Sequence, residues 1–139
     1  MAEIPLIQVR ELYKRFGRQE VLKGLNLDIM RGEILAVVGL SGTGKSVFLK
    51  HLIGLIQPDR GQVLVEGQDI HQGGSGHLAQ IRERFGMLFQ GGALFDSMTV
   101  ADNVAFPLQE KTRRSDAEIS TAVTDMLKGV GLEGIDGKF

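Results

Sequence analysis

The sequence predicts an α/β fold, and three consecutive segments carry this prediction. Residues 33–38 are almost wholly apolar and favour β structure, as expected of a strand that is buried on both faces in a parallel sheet. A glycine-rich segment, Gly39 to Ser46, follows directly. The apolar residues after it recur at helical intervals as far as Gly54, and Pro58 lies beyond them as a helix stop. The chain therefore runs from strand to glycine loop to helix.

Antiparallel strands are predicted on either side of this segment. Apolar and polar residues roughly alternate from Leu6 to Leu12 and again from Val21 to Ile29, with the turn-prone residues 16–19 between them. After the helix, a turn at 57–61 leads to a further short strand at Val63–Val65. We expect these runs to form an antiparallel β region beside the parallel core.

The middle of the chain is predicted to return to the core. A flexible loop at 72–76 precedes a short helix at 77–84, and residues 85–89 have the composition of a second buried strand. Thr99 is suited to cap a short helix, which Pro107 is expected to help terminate.

The last helix has the clearest signal. Ser115 and Glu118 have the spacing of a capping box, in which each residue satisfies a backbone N–H of the other. Apolar residues follow at helical intervals, namely Ile119, Ala122, Val123, Met126, Leu127 and Val130.

Composition excludes several classes of function. The 16 basic and 17 acidic residues give a net charge of -1 and no clustered basic face, so nucleic-acid binding is not expected. The chain has no cysteine, which excludes disulfides, thiolate metal sites and a cysteine nucleophile. No signal peptide is recognisable at the N-terminus, and no apolar run approaches the roughly 18 residues of a membrane helix. We therefore expect neither secretion by a signal peptide nor a membrane span.

The glycine-rich segment predicts a phosphate site. Its residues, Gly39-Leu40-Ser41-Gly42-Thr43-Gly44-Lys45-Ser46, fill every fixed position of the P-loop pattern. Glycines let successive backbone N–H groups converge on one anion, and the following helix adds the positive end of its dipole. Lys45 is expected to reach the β- and γ-phosphates, and the Ser46 hydroxyl to bind the Mg²⁺ that bridges them. The alternative is a plain Gly/Ser turn, which the strand before and the helix after make less favoured.

Two further residues make the chain resemble the N-terminal part of an ATP-binding cassette (ABC) ATPase. Phe16, in a Lys-Arg-Phe-Gly setting, is similar to the family's A-loop aromatic, which stacks on adenine, and Val21 lies nearby in sequence. Gln90, in Met-Leu-Phe-Gln, resembles the Q-loop glutamine, which reaches Mg²⁺ and the attacking water. Phe16 is otherwise interpretable as a hairpin-tip aromatic that packs on its own domain, and Gln90 as an ordinary loop residue.

The resemblance implies a set of ligand-binding residues and a fold. The nucleotide-binding residues would be Phe16, Val21, Gly39, Ser41, Gly42, Thr43, Gly44, Lys45, Ser46 and Val47, and the Mg²⁺-binding residues Ser46 and Gln90. The fold would be a P-loop ATPase core with an N-terminal antiparallel β subdomain and the start of a helical subdomain. Residues 1–139 would form the N-terminal part of one nucleotide-binding domain: its β region covers about 1–32 and 61–70, its core 33–60 and 77–90, and the Q-loop and helical part 91–139.

The segment from Gln90 to Leu108 resembles most closely the ATPases of Mla/Mce-type lipid transporters. Such subunits work as dimers with a membrane permease and Mce-domain proteins, and lie at the cytoplasmic side of the bacterial inner membrane. The surface with Leu94, Phe95 and Met98 would then receive the permease's coupling helix. Equally, these apolar residues are expected if they form the core of a helical subdomain.

The sequence departs from the family pattern in two respects. Val47 stands where many members have threonine, which removes a hydroxyl to the α-phosphate but leaves the backbone N–H. The signature motif, the Walker B aspartate, the catalytic glutamate and the switch histidine do not occur in these residues. We therefore expect this chain alone to hydrolyse ATP poorly, and its P-loop strand to leave an apolar edge exposed.

Three readings of function remain open from the sequence. The leading one is the ATP-binding subunit of a bacterial lipid transporter, and the others are a soluble ABC-type ATPase without a membrane partner and a nucleotide-binding module without catalysis. A small-molecule kinase is disfavoured because no arginine-rich lid for a second substrate is evident.

The remaining titratable residues are not expected to bind metal. The histidines lack metal-ligand spacing and are expected on helix surfaces or in loops; they are His51, His71 and His77. Four carboxylates follow no buried strand and are assigned to solvated faces; they are Asp69, Glu83, Asp96 and Asp102.

Overall fold

The computed structural model describes residues 4–139, so residues 1–3 of the predicted β region lie outside the described part. The chain forms two compact units, one ending at Gly86 and the other spanning Met87–Phe139. The first contains strands β1 (Ile7–Phe16), β2 (Gln19–Ile29), β3 (Arg60–Val65) and β4 (Gln68–Asp69), with helices α1 (Lys45–Leu52) and α2 (Gly74–Arg82). The second contains α3 (Val100–Lys111) and α4 (Asp116–Gly129). The α/β class and the antiparallel region are confirmed.

The sheet of the first unit is antiparallel throughout. Its strand order is β2-β1-β3-β4, so β1 lies between β2 and β3. Side chains on one face of β1 and β3 form the core, and those of Val9, Leu12 and Val63 are fully inaccessible to solvent. Phe48 and Leu52 of α1 complete this core, which is why the helix after the glycine loop is held in place.

A bulge in β1 keeps its apolar residues on one face. Ile7 and Val9 face the core at the strand period of two, but the next buried residue is Leu12, three positions on. Pairing with β3 shifts between Arg10 and Tyr13, so two residues of β1 lie opposite the single residue Gly61. The extra residue changes the alternation of side chains by one position, so the side chain of Leu12 points into the core again.

The second unit is held together by the two helices after Met98. A capping box starts each of them, Thr99 with Asp102 in α3 and Ser115 with Glu118 in α4. The buried residues of this small core are Ala105, Ile119, Val123 and Leu127. The prediction of the last helix from its cap and its apolar period is therefore confirmed.

Two predicted core strands are not formed among the described residues. Residues 33–38 pair with no strand of the described chain, and Ile34 and Val38 are 98% and 87% exposed. Residues 85–89 likewise form no strand, and Leu88 is exposed. A parallel strand is stable only between hydrogen-bonded neighbours that also cover its faces, and apolar composition alone does not provide them. The apolar residues of 34–40 are exposed, but because they form no strand they do not make the expected sheet edge.

Two helix boundaries also differ from prediction. Pro107 does not terminate α3, which continues through it to Lys111. Leu108, one residue after the proline, packs against the core of the second unit, so tertiary contact outweighs the lost backbone bond. Residues 72–76 were expected to be loop, but α2 begins at Gly74.

Candidate nucleotide-phosphate site

The glycine loop leads directly into α1. Gly42 and Gly44 have φ of 79° and 95°, the left-handed region that glycine occupies without strain. Gly44 is the N-cap of α1 and supplies no side-chain cap, and the first helical N–H bond is from Phe48 to the Gly44 carbonyl at 2.8 Å. The N–H groups of Lys45, Ser46 and Val47 therefore lack intrahelical acceptors, the arrangement that suits an anion.

Lys45 is held at the loop by the loop's own carbonyls. Its Nζ donates to the Gly39 oxygen at 2.8 Å and to the Leu40 oxygen at 2.7 Å. The Thr43 hydroxyl donates to the same Leu40 oxygen at 2.8 Å. An incoming phosphate would compete for these donors with a full negative charge, and charge-assisted bonds are the stronger ones.

β2 lies behind the loop at Gly44. A Cβ atom at Gly44 would lie 2.6 Å from Val21 Cγ1 and 3.3 Å from the Val21 carbonyl oxygen. The structure thus brings together Val21 and the start of α1, two features that are separated in sequence. Glycine is required here both by its φ and by this close approach.

Val47 has a packing role that explains its apolar side chain. It packs against the core of the first unit, and its carbonyl oxygen lies 2.7 Å from His51 Nδ1. A threonine at position 47 would place its hydroxyl partly among these apolar neighbours. The neighbouring Ser46, by contrast, is exposed at the start of the helix.

Phe16 lies at the tip of the β1–β2 hairpin, where it pairs with Gln19. Its side chain is 49% exposed, and Lys14 Nζ lies 5.6 Å from the ring centroid. Lys14 is itself fixed by Asp59 Oδ1 at 2.9 Å and by the Gln57 carbonyl at 2.8 Å. The hydrogen bond from Lys14 is also the main reason why the pKa of Asp59 is lowered. The ring is therefore oriented by a cation and is not packed into the core.

Gln90 is exposed and directly follows residues 85–89. It belongs to the unit that begins at Met87, whereas Ser46 belongs to the other unit. The pairing of Ser46 and Gln90 at one magnesium ion stays a prediction.

An apolar groove of about 540 Å³ lies in the second unit. We call this the α3–α4 groove; its apolar lining residues are Leu94, Phe95, Met98, Val100, Val104, Met126, Leu127, Val130, Leu132, Ile135 and Phe139. Leu94 and Phe95 are 71% and 46% exposed, so they are not core residues of this unit. The contribution of the end of α4 was missed, although Met126 and Val130 have the i, i+4 spacing of one helix face.

Asn103 positions the loop that carries Phe95, and sequence reasoning missed it. Its Oδ1 accepts from the Phe95 N–H at 2.8 Å, and its Nδ2 donates to the Phe95 carbonyl at 3.1 Å. The Phe95 ring also meets Phe106 edge to face, with centroids 5.0 Å apart. No sequence signal distinguishes Asn103 from any other polar residue of a helix.

The titratable residues outside the loop hold no cluster typical of a metal site. No group of three or more His, Asp or Glu side chains within residues 4–139 is arranged to bind a metal ion. Asp102 serves as a cap partner, and its pKa is lowered by hydrogen bonds from Thr99. The expectation for His51 is wrong, because this side chain is fully buried and not on the helix surface.

The described helices also bear on the membrane question. Within residues 4–139, none combines the length and the apolar character that crossing a membrane demands.

The chain is similar in sequence to ATP-binding proteins of transport systems. A probable ribonucleotide transport ATP-binding protein (mkl) of Mycobacterium leprae is 49% identical over 133 residues, which cover 96% of this chain and 38% of that protein. The intermembrane phospholipid transport system ATP-binding protein MlaF of Haemophilus influenzae is 41% identical over 129 residues, which cover 93% of this chain and 49% of that protein. The chain thus spans less than half the length of these relatives.

Among solved structures, the chain is similar to the ATP-binding cassette MJ0796, a dimer in a post-hydrolysis state with ADP and Pi bound. The TM-score is 0.82 at 29% identity, and the match covers 95% of this chain and 60% of that one. The sequence pattern of the ABC transporter family matches residues 22–139, from β2 through the glycine loop to the last residue. The chain belongs to the ABC transporter family.

Proposed function

We propose that this chain is the N-terminal part of the ATP-binding subunit of a bacterial ABC transporter that moves phospholipids or other lipids, of the Mla/Mce type. The observation that carries the proposal is the loop Gly39 to Ser46, with its left-handed glycines, its oriented lysine and the uncapped start of α1. The lipid substrate rests on the similarity to MlaF. In the complete domain we assign 33–60 and 77–90 to the core, about 1–32 and 61–70 to the β region and 91–139 to the Q-loop and helical part.

The ligand we propose for the loop is MgATP. The unpaired N–H groups at the start of α1 and the Lys45 ammonium fit the phosphates, and the exposed Ser46 hydroxyl fits a hard cation that prefers oxygen. Mg²⁺ would supply charge neutralisation between the β- and γ-phosphates. Gln90 is the second proposed Mg²⁺ ligand.

The adenine is assigned to Phe16 and Val21. The half-exposed Phe16 ring offers a face for stacking, and Val21 lies against the glycine that starts α1. The other proposed contacts come from the loop backbone and from the side chains of Ser41 and Thr43.

The α3–α4 groove is the surface that we propose receives the permease. It is open and apolar, and a helix with one apolar face fits such a groove. A second ATPase subunit and an Mce-domain protein are the further partners proposed. The subunit would lie at the cytoplasmic side of the inner membrane, bound there through the permease.

Replacing Lys45 by alanine tests the nucleotide site. We expect ATP to bind about 10- to 100-fold more weakly, since a charge-assisted hydrogen bond contributes roughly 1.5–3 kcal/mol. Titration of the protein with labelled ATP in the presence of Mg²⁺ measures the change. Lys50→Ala is the matched control, because it removes the same charge from the same helix away from the loop. Equal affinity in Lys45→Ala and wild type would reject the phosphate site.

A charged residue in the α3–α4 groove tests the permease contact. We expect Leu94→Glu to abolish co-purification of the full-length subunit with its permease while ATP binding is retained, because a carboxylate cannot be buried unpaired in an apolar interface. Thr121→Glu, on the exposed side of α4, is the control. Co-purification with a permease that has no Mce partner would overturn the lipid assignment. Recovery of the full-length protein without any membrane partner would favour the soluble ATPase instead.

A further inference from the structure

His51 is the feature that the proposed function leaves unexplained. It lies in the last turn of α1, and it is the one polar side chain fully buried within residues 4–139. Its Nδ1 lies 2.7 Å from the Val47 carbonyl oxygen, which can only accept, so Nδ1 carries the proton. Its Nε2 therefore presents a lone pair, and that atom is buried with no hydrogen-bond partner. A proton added at Nε2 would have no acceptor in the core.

The charged groups around His51 mostly oppose such a proton. Lys14 of β1 and His71, which follows β4, act on it as positive or potentially positive groups, and Asp59 is the acidic one. The two oxygens of Asp59 already accept from Lys14 Nζ at 2.9 Å and from the Arg15 N–H at 2.8 Å. The acidic neighbour of His51 is thus committed to other donors.

His71, which is partly buried, shares one feature with His51. Its Nε2 is also buried without a partner. Asp69 and Arg82 are the charged groups that act on it, and they oppose each other. Arg82 of α2 is bonded to the carbonyls of Ile53 and Gly54, directly after α1, at 3.0 and 2.7 Å. His71 is thus linked to the end of α1 in two ways: its charge opposes protonation of His51, and Arg82, which acts on it, is bonded to the residues that directly follow the helix.

Burial lowers the pKa of His51, against a smaller raising effect of its bond to Val47, and burial also lowers the pKa of His71. In the unfolded chain the histidines titrate near the ordinary 6.5. A form in which α1 has opened and the histidines are exposed therefore binds more protons than the folded form below that pH. The folded state is therefore fully stable with respect to these two histidines above pH about 6.5. It loses stability as the pH falls toward their lower pKa values in the folded state.

We propose that His51, together with His71, forms an acid-sensitive latch that holds α1 on the sheet at neutral pH and releases it on mild acidification. Release would take Leu52 out of the core that it shares with Leu12 and Val63, and the glycine loop would lose the support of a packed helix. The inference does not rest on nucleotide binding, because it concerns only the packing of α1.

Hydrogen exchange of the α1 amides at several pH values tests the latch. Between pH 6.5 and 5.5 the protection factors of Phe48 to Leu52 are expected to fall about fivefold for each histidine that stays neutral when folded. His51→Phe keeps an aromatic ring of similar size and removes the titrating group. The protection factors of this variant should therefore depend on pH less steeply, because one proton fewer is taken up on opening. His77→Gln removes a partly exposed histidine of the same unit and should keep the wild-type slope.

Two outcomes would overturn the latch. One is a wild-type slope in His51→Phe, and the other is protection in the wild type that does not change over this pH range. If His51→Phe does not fold, an NMR titration of the His51 ring in the wild type decides the question. A midpoint near the ordinary 6.5 would contradict the latch, and a midpoint clearly below it would support it.

Discussion

Replacing Gly61 by alanine is expected to lower the free energy of unfolding of the first unit by about 2 to 5 kcal/mol. Gly61 has φ of 86°, a conformation that is strained for alanine. A Cβ atom there would also overlap the carbonyl oxygens of Arg10 and Glu11 in the bulge of β1. These are backbone atoms, so no side-chain rotation relieves the overlap and the two strands must separate. The loss is large beside the roughly 5–15 kcal/mol of a whole domain.

Gly67→Ala separates the two contributions. Gly67 also has a positive φ, 79°, but a Cβ atom there meets nothing within 4 Å. Only the backbone strain remains, so we expect a loss of about 1–2 kcal/mol. Urea unfolding followed by circular dichroism measures both variants. Equal losses in Gly61→Ala and Gly67→Ala would mean that the bulge does not require close contact with β3.

The Gly44→Ala variant is expected to bind ATP about tenfold more weakly or worse, beyond its effect on stability. Its Cβ atom would press against Val21 Cγ1 and the φ of 95° would become strained, so the first turn of α1 must shift. The N–H groups that we assign to the phosphates belong to this turn, and a small displacement misaligns all of them at once.

Shortening the opposing side chain isolates the cause of this effect. Val21→Ala removes the Cγ1 atom 2.6 Å from the new Cβ and leaves the carbonyl oxygen at 3.3 Å. Val21→Ala also removes part of the proposed adenine contact, so it has a loss of its own. In a double-mutant cycle, the variant with both substitutions should therefore lose less ATP affinity than the sum of the two single losses. Strictly additive losses, measured by titration with labelled ATP, would show that the contact between β2 and the loop does not position α1.

Local signals predicted most of the elements. Cap residues and the turn at 16–19 act through neighbours in sequence, so the last helix and the first hairpin follow from the residues alone. The prediction failed where an element depends on distant partners. Residues 33–38 have the composition of a buried strand but lack a paired strand among the described residues, and Pro107 is tolerated in α3 because the helix continues onto a tertiary contact at Leu108.

The candidate site divides in the same way. Residues Gly39 to Ser46 were predicted from their spacing, because a turn that directs backbone N–H groups to one point is encoded by glycines within eight positions. The contact of Val21 with Gly44 and the bonds of Asn103 to Phe95 have no counterpart in the sequence pattern. Each joins residues at least eight positions apart, and such distances are set only by packing.

The sequence by itself predicted the family, through the resemblance of its motifs. It also determined the helices with strong caps, because a cap depends on interactions within one or two turns of chain. The tertiary structure alone decided which glycines cannot bear a side chain, that β1 has its bulge opposite Gly61 and that His51 is buried without a partner for Nε2. Burial and close approach are properties of segments brought together from distant parts of the chain. A histidine in an amphipathic helix is therefore a surface residue or a buried one according to the sheet against which that helix packs.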